Sequence, residues 1–265
     1  MANFLTIKEK KISNDYEKYG FVIKKVKNIS ELEKMRKLLV GCIKKKLSIN
    51  KSLKDNKLLN HIHKYLKPNK LNTVRKNLIE IINDNDEFRR LYYQISKEYL
   101  DVLLGNELAM QRRVNLSIQL PRDNSSLLPI HSDIWGGNSP FDLVVWVPLV
   151  DCYKTKSMYL LPPSKANKIN KMFKKLKNNS GENLFKKIKK DLTWVDVKYG
   201  EVLIFNQALP HGNVKNLENE TRWSLNCRFK SIFSPYNDKK LGEYFEAITL
   251  RKVSQIGMQY ELPKI

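Results

Sequence analysis

Cysteine is scarce in this 265-residue chain: Cys42, Cys152 and Cys227 stand far apart, with no CxxC pair. An odd, scattered set of thiols excludes a disulfide framework and a zinc knuckle, and each is expected to be a buried or half-buried thiol. Long apolar runs are also missing. No stretch approaches the ~18 continuous apolar residues of a membrane span, and residues 1–11 hold no signal-peptide core. These absences predict a cytoplasmic protein with no membrane partner. Acidic residues are few, 27 against 49 lysines and arginines, which leaves a formal charge of +22. Such an excess can serve a polyanionic partner. Here it is diffuse, spread along lysine-rich helical stretches such as 168–190 in a chain also rich in Asn and Ile. It reads as a compositional bias on a solvated surface, and it argues against a nucleic-acid partner.

What the chain does have is enough apolar material for a packed interior, 42% of residues with four Trp. Its length suits one domain over 1–265. Helical periodicity dominates residues 1–110, with a helix over 12–19 stopped by Gly20, a strand over 21–26, and a helix opened by Ser30 as cap and running to about 46. Further helical patterns cover 57–65 and 71–104, the latter broken near 83–86. Residues 111–232 then read as short strands, at 114–120, 143–149, 158–161, 194–197, 201–205 and 221–229, with a Lys-rich helical insert over 164–191 and a tail over 233–265. Several antiparallel strands with long connections predict a mainly β fold with helical buttresses, a jelly roll.

Only four histidines are available, His61, His63, His131 and His211. His61 and His63 lie two apart in a helical pattern, point to different faces and make a poor metal pair, so they are assigned to the surface. His131-Ser132-Asp133 follows a strand and a loop, and in extended chain residues i and i+2 point the same way. His211 comes just after the apolar strand 202–205 and before Gly212, where the chain can turn sharply. Two imidazoles and a carboxylate on one triangular face suit ferrous iron and leave positions open for other ligands and O₂.

Eleven residues past His211, the segment Thr221-Arg222-Trp223-Ser224-Leu225-Asn226-Cys227-Arg228 alternates strictly. Arg222, Ser224, Asn226 and Arg228 share one face, and Trp223, Leu225 and Cys227 the other. An arginine pointing into a barrel is costly unless an anion meets it. That anion is either an internal acid or the end of a bound dicarboxylate, which a planar guanidinium grips with two bonds. Residues 114–120 alternate likewise, with Asn115, Ser117 and Gln119 on the polar face.

This pattern, HxD, a distant His, and an Arg followed by xS, resembles the phytanoyl-CoA dioxygenase-like branch of the iron(II)- and 2-oxoglutarate-dependent oxygenases. Residues 146–151 with 158–164, residues 200–213 and residues 19–23 are similar to that branch as well. The resemblance implies a double-stranded β-helix, cupin-like, with His131, Asp133 and His211 as catalytic iron ligands and Arg222 as the 2-oxoglutarate anchor beside Ser224. Asn115, Gln119 and Trp146 fall where such enzymes carry further cosubstrate contacts. Fe(II), 2-oxoglutarate and O₂ are the cofactors implied, and hydroxylation of a small polar or carbohydrate-like metabolite the implied outcome. Pro163, Lys165 and Ser157 depart from the branch at a turn and a loop. The presence of Asp133 argues against its halogenating relatives. Trp135, Tyr153 and Tyr159 are candidate rim contacts. Two rivals stand beside this reading. Residues 222–228 also resemble the RxNxxxR strand of the nucleic-acid demethylating oxygenases, and a basic, non-catalytic binding protein could keep the same fold.

Overall fold

In a computed structural model, residues 4–176 and 181–261 are described. Helix α1 (Ile7–Tyr19) begins five residues before the expected start. Thr6 and Glu9 form a capping box that satisfies its first amides, and Gly20, at φ 75°, closes it in the left-handed conformation. Strand β1 (Phe21–Lys25) follows. The cap of α2 (Ile29–Lys46) is Asn28 and not Ser30: the Asn28 Oδ1 accepts from both the amide and the hydroxyl of Ser30, at 3.3 and 2.8 Å. The expected helix at 57–65 is shorter, α3 (Asp55–Asn60), and passes into a 3-10 turn over Ile62–Lys64.

Helix α4 (Pro68–Asn83) buries Leu71, Val74, Leu78 and Ile82, one stripe at helical spacing. The chain breaks where expected, because the Asn85 side chain accepts from the Phe88 amide and caps α5 (Asp86–Gln94). A second break precedes α6 (Lys97–Leu104). These helices are tied to the sheet by polar pins as well as by packing. Tyr92 donates its hydroxyl to the Val145 carbonyl at 2.8 Å, and Tyr99 to that of Lys25 at 2.7 Å.

The strand series is β2 (Leu108–Gln111), β3 (Asn115–Gln119), β4 (Leu143–Pro148), β5 (Tyr159–Leu160), β6 (Thr193–Trp194), β7 (Glu201–Asn206), β8 (His211–Gly212), β9 (Arg222–Ser231) and β10 (Phe245–Ala247). Helices α7 (Pro163–Leu176) and α8 (Gly181–Ile188) fill the connection after β5, and α9 (Lys252–Met258) ends the described chain. Residues 177–180 of the expected insert, and 262–265 of the expected tail, lie outside the described residues. Strand β2, β8 and β10 had no counterpart among the expected strands, being two to four residues long and so too short to show a period.

Among the described residues all pairings between these strands are antiparallel. The larger sheet runs β1-β7-β4-β9-β2-β10, with β3 also on β9, and the smaller β6-β5-β8. Ten-residue β9 is the spine: its first half pairs with β3, its second with β2, and its other edge with β4. Every residue of β4 is buried, as its unbroken apolar sequence requires of a strand covered on both faces. The expected jelly roll is present, although helices hold 43% of the residues and strands 20%, so the buttress outweighs the barrel it supports. Among the described residues no helix is long and apolar enough to cross a membrane.

Candidate active site

The sheets meet at the histidines. His131 and His211 form an isolated antiparallel bridge, each amide donating to the other's carbonyl at 2.9 and 2.7 Å. Ser132 is extended, so His131 and Asp133 face the same side, and Asp133 then opens a 3-10 turn over Asp133–Gly136. The Asp133 amide and the Ser132 hydroxyl, both at 3.1 Å, donate to the Gln207 carbonyl, which straps this loop to the turn before His211. The ligand atoms of His131, Asp133 and His211 all lie within 4.8 Å of one another.

Both imidazoles are oriented for a metal. The Nδ1 of His131 lies 2.9 Å from the Pro129 carbonyl and that of His211 2.8 Å from the Leu209 carbonyl, so each Nδ1 carries the proton and each Nε2 keeps its lone pair. Burial, then the neighbouring His131, pushes the His211 pKa down to about 4 and keeps that ring neutral. Gly212 is needed for space and not for a turn: a Cβ there would lie 2.7 Å from the Tyr159 hydroxyl and 2.8 Å from the Leu128 carbonyl. An N₂O donor set of two imidazoles and one carboxylate fits ferrous iron.

These three residues line a cavity of about 100 Å³, together with Ser117, Trp146, Asn226 and both Arg222 and Arg228. Of the expected polar face of β9, Arg222, Asn226 and Arg228 therefore form part of the cavity wall, whereas Ser224 is not among the lining residues. Arg222 is 4% exposed. It donates from Nη1 to the Ser157 carbonyl at 3.0 Å and from Nη2 to the Ser117 hydroxyl at 2.9 Å, while its Nε has no partner. Among the described residues no carboxylate pairs with it, and burial pushes its pKa down to about 10. The Ser224 hydroxyl, also fully buried, is likewise without a partner. A buried guanidinium with open donor capacity fits the carboxylate of a bound ligand.

Arg228 differs. Its Nη2 lies 2.7 Å from Asp133 Oδ2, and its Nη1 reaches Gln111 Oε1 at 3.1 Å and the Tyr244 hydroxyl at 3.2 Å. Burial opposes its charge most strongly, but Asp133, Tyr244 and Cys227 together outweigh burial and hold the guanidinium above its ordinary pKa. The other Asp133 oxygen, Oδ1, lies 3.7 Å from His131 Nε2.

Of the other expected contacts, Trp146 lines the cavity, whereas Asn115 and Gln119 are not among its lining residues. Asn115 donates to Asn226 Oδ1 at 3.2 Å, and Gln119 to the Val214 carbonyl at 2.7 Å. Ser117, between them on the same face, is the residue that reaches Arg222, and the alternation of β3 had already placed it there. His61 and His63 are half-buried and not surface residues, and His63 Nδ1 lies 3.0 Å from the Thr221 hydroxyl. Tyr159 is packed between Phe185 and Trp194, Tyr153 meets Glu220, and the Trp135 indole donates to Asn170, so each has a protein partner.

The fold has counterparts among solved structures. The chain superposes on the apo form of the non-heme monooxygenase ThoJ with a TM-score of 0.57 at 14% identity, covering 92% of this chain and 85% of that one. EctD from S. alaskensis gives 0.55 at 14% identity, covering 89% and 81%. The non-heme alpha-ketoglutarate-dependent epimerase SnoN, from nogalamycin biosynthesis, gives 0.51 at 16% identity, covering 84% and 83%. The chain shares the fold of these proteins, two of which, ThoJ and SnoN, are non-heme enzymes. No family model and no curated protein sequence matches it.

Proposed function

We propose that the protein is an Fe(II)- and 2-oxoglutarate-dependent dioxygenase that hydroxylates a small polar metabolite. The observation that carries this reading is Arg222: a buried cation without an acid, in the same small cavity as three side chains arranged for a metal. His131, Asp133 and His211 would hold the iron, and Arg222, with the Ser117 and Ser224 hydroxyls beside it, the distal carboxylate of 2-oxoglutarate. Ferrous iron with 2-oxoglutarate and O₂ supplies the oxidising power, the sum being C–H plus 2-oxoglutarate plus O₂ to C–OH plus succinate plus CO₂.

The chain's own part is orientation and exclusion of water. Arg222 fixes one end of the dicarboxylate through its planar fork. Trp146, Val144, Met158 and Phe205 form an apolar wall, which strengthens each polar contact by lowering the local dielectric. Arg228 pairs with the Asp133 carboxylate at 2.7 Å and would hold it beside the two imidazoles for the iron. The origin of SnoN in nogalamycin biosynthesis supports a small molecule as substrate. Succinate formation with Fe(II), scored across a panel of sugars, aminocyclitols and other polar metabolites, tests the reading. Stimulation by at least one of them, dependent on iron, is expected, and absence of any iron-dependent 2-oxoglutarate consumption would overturn it.

A further inference from the structure

One lysine, Lys156, has no exposure at all and is not among the residues that line the cavity. The Lys156 ammonium donates to Glu220 Oε2 at 2.7 Å and to Asn60 Oδ1 at 2.8 Å, and sits 5.3 Å from the Tyr153 ring centroid. A buried ammonium is retained only where such partners replace its water. These partners bracket Arg222. Glu220 precedes it by two residues, and Asn60 also accepts the Thr221 amide on its carbonyl at 2.7 Å. The Trp223 indole, just after Arg222, donates to the Leu59 carbonyl at 2.9 Å.

Lys156 is also the residue before Ser157, whose carbonyl accepts from Arg222 Nη1. The turn that carries it is bonded to the segment before β9 a second time. Thr155 donates its hydroxyl to Glu218 Oε1 at 2.8 Å and accepts the Leu217 amide at 2.9 Å. Lys154 opens that turn at φ 45°, a left-handed conformation uncommon for lysine, so contacts and not local preference hold the turn in shape.

We propose that Lys156 is a positioning residue for the cosubstrate: by clamping Glu220 and Asn60 it fixes both the Ser157 carbonyl and the strand start that aim Arg222 into the cavity. This rests on the reading of Arg222 as the 2-oxoglutarate anchor. No residue of the clamp lines the cavity, so it acts through Arg222.

The experiment is calorimetric titration of 2-oxoglutarate into Mn(II)-loaded wild type, Lys156→Met, Arg222→Lys and the double variant, with Mn(II) affinity measured separately. Lys156→Met should weaken 2-oxoglutarate binding by roughly five-fold or more while Mn(II) affinity stays within about two-fold. In turnover the loss should fall on the KM for 2-oxoglutarate and not on kcat. Arg222→Lys should cost less in the Lys156→Met background than in wild type, because the two act on one contact. Glu220→Gln keeps an acceptor for the ammonium and should show a smaller loss of the same kind; it also serves if Lys156→Met does not fold. A Lys156→Met or Glu220→Gln protein that melts earlier yet binds 2-oxoglutarate as wild type does would overturn the proposal, as would full multiplicativity of the two losses. If Arg222→Lys alone leaves binding unchanged, it is the anchor reading that fails.

Discussion

Arg222 and Arg228 are six residues apart on one face of β9, the first buried and the second half-buried, and both line the same cavity, yet their surroundings are opposite. Arg222 has only neutral acceptors and a depressed pKa; Arg228 has Asp133 and a raised one. Of the two ways to meet an inward arginine, an internal acid or a ligand's carboxylate, the strand uses one at each end. The difference teaches that burial of a charge does not announce a binding site. What marks one is burial without a protein counter-ion.

The largest expected effect comes from removing the acid of the paired end. Asp133→Ala takes away a proposed metal ligand and leaves the half-buried Arg228 without its carboxylate, so stoichiometric Fe(II) binding should vanish. Equilibrium dialysis against iron checks this, and full retention of iron would reassign the metal centre. Next in size is a contrast in stability. Arg228→Met strands the Asp133 carboxylate and should destabilise the metal-free protein by about 3–5 kcal/mol, as breaking a buried pair does. Arg222→Met removes a cation without an acid and should change stability by no more than about 1 kcal/mol, since only hydrogen bonds to neutral groups are lost. Urea unfolding of the two variants measures the contrast, and equal losses would erase the distinction drawn between the ends.

The smallest expected effect concerns the +22 charge. If it is solvated surface, methylated oligonucleotides at ~0.15 M salt should leave succinate formation unchanged, because screening removes diffuse attraction. Oligonucleotide-dependent turnover with a demethylated product would move the protein to a nucleic-acid substrate and leave the contrast between the two arginines intact.

Much of the site was legible because strand alternation is a strict code. The period of two placed Arg222, Ser224, Asn226 and Arg228 on one face, and the HxD spacing placed His131 and Asp133 on one side. What the period could not give was pairing. Nothing local in the sequence says that Arg228 meets Asp133, ninety-five residues earlier, or that Ser117 and not Gln119 is the neighbour that reaches Arg222. His63 was misplaced for the same reason, since its partner Thr221 comes from β9's approach and not from its own helix. The caps show the limit in small: Ser30 has the right chemistry for a cap, but Asn28 takes the position because its side chain reaches the Ser30 amide. Strands β2, β8 and β10 are set by their neighbours in the sheet, which a window of two to four residues does not contain.

The central claim, that the acid-free guanidinium is a ligand's anchor, is tested most directly by titrating 2-oxoglutarate into metal-loaded wild type and Arg222→Lys. Lysine keeps the charge and loses the planar fork, so affinity should fall by roughly ten-fold or more, in line with a charge-assisted bond worth ~1.5–3 kcal/mol, while metal binding is unchanged. An unaltered affinity for 2-oxoglutarate in the Arg222→Lys protein would contradict the account.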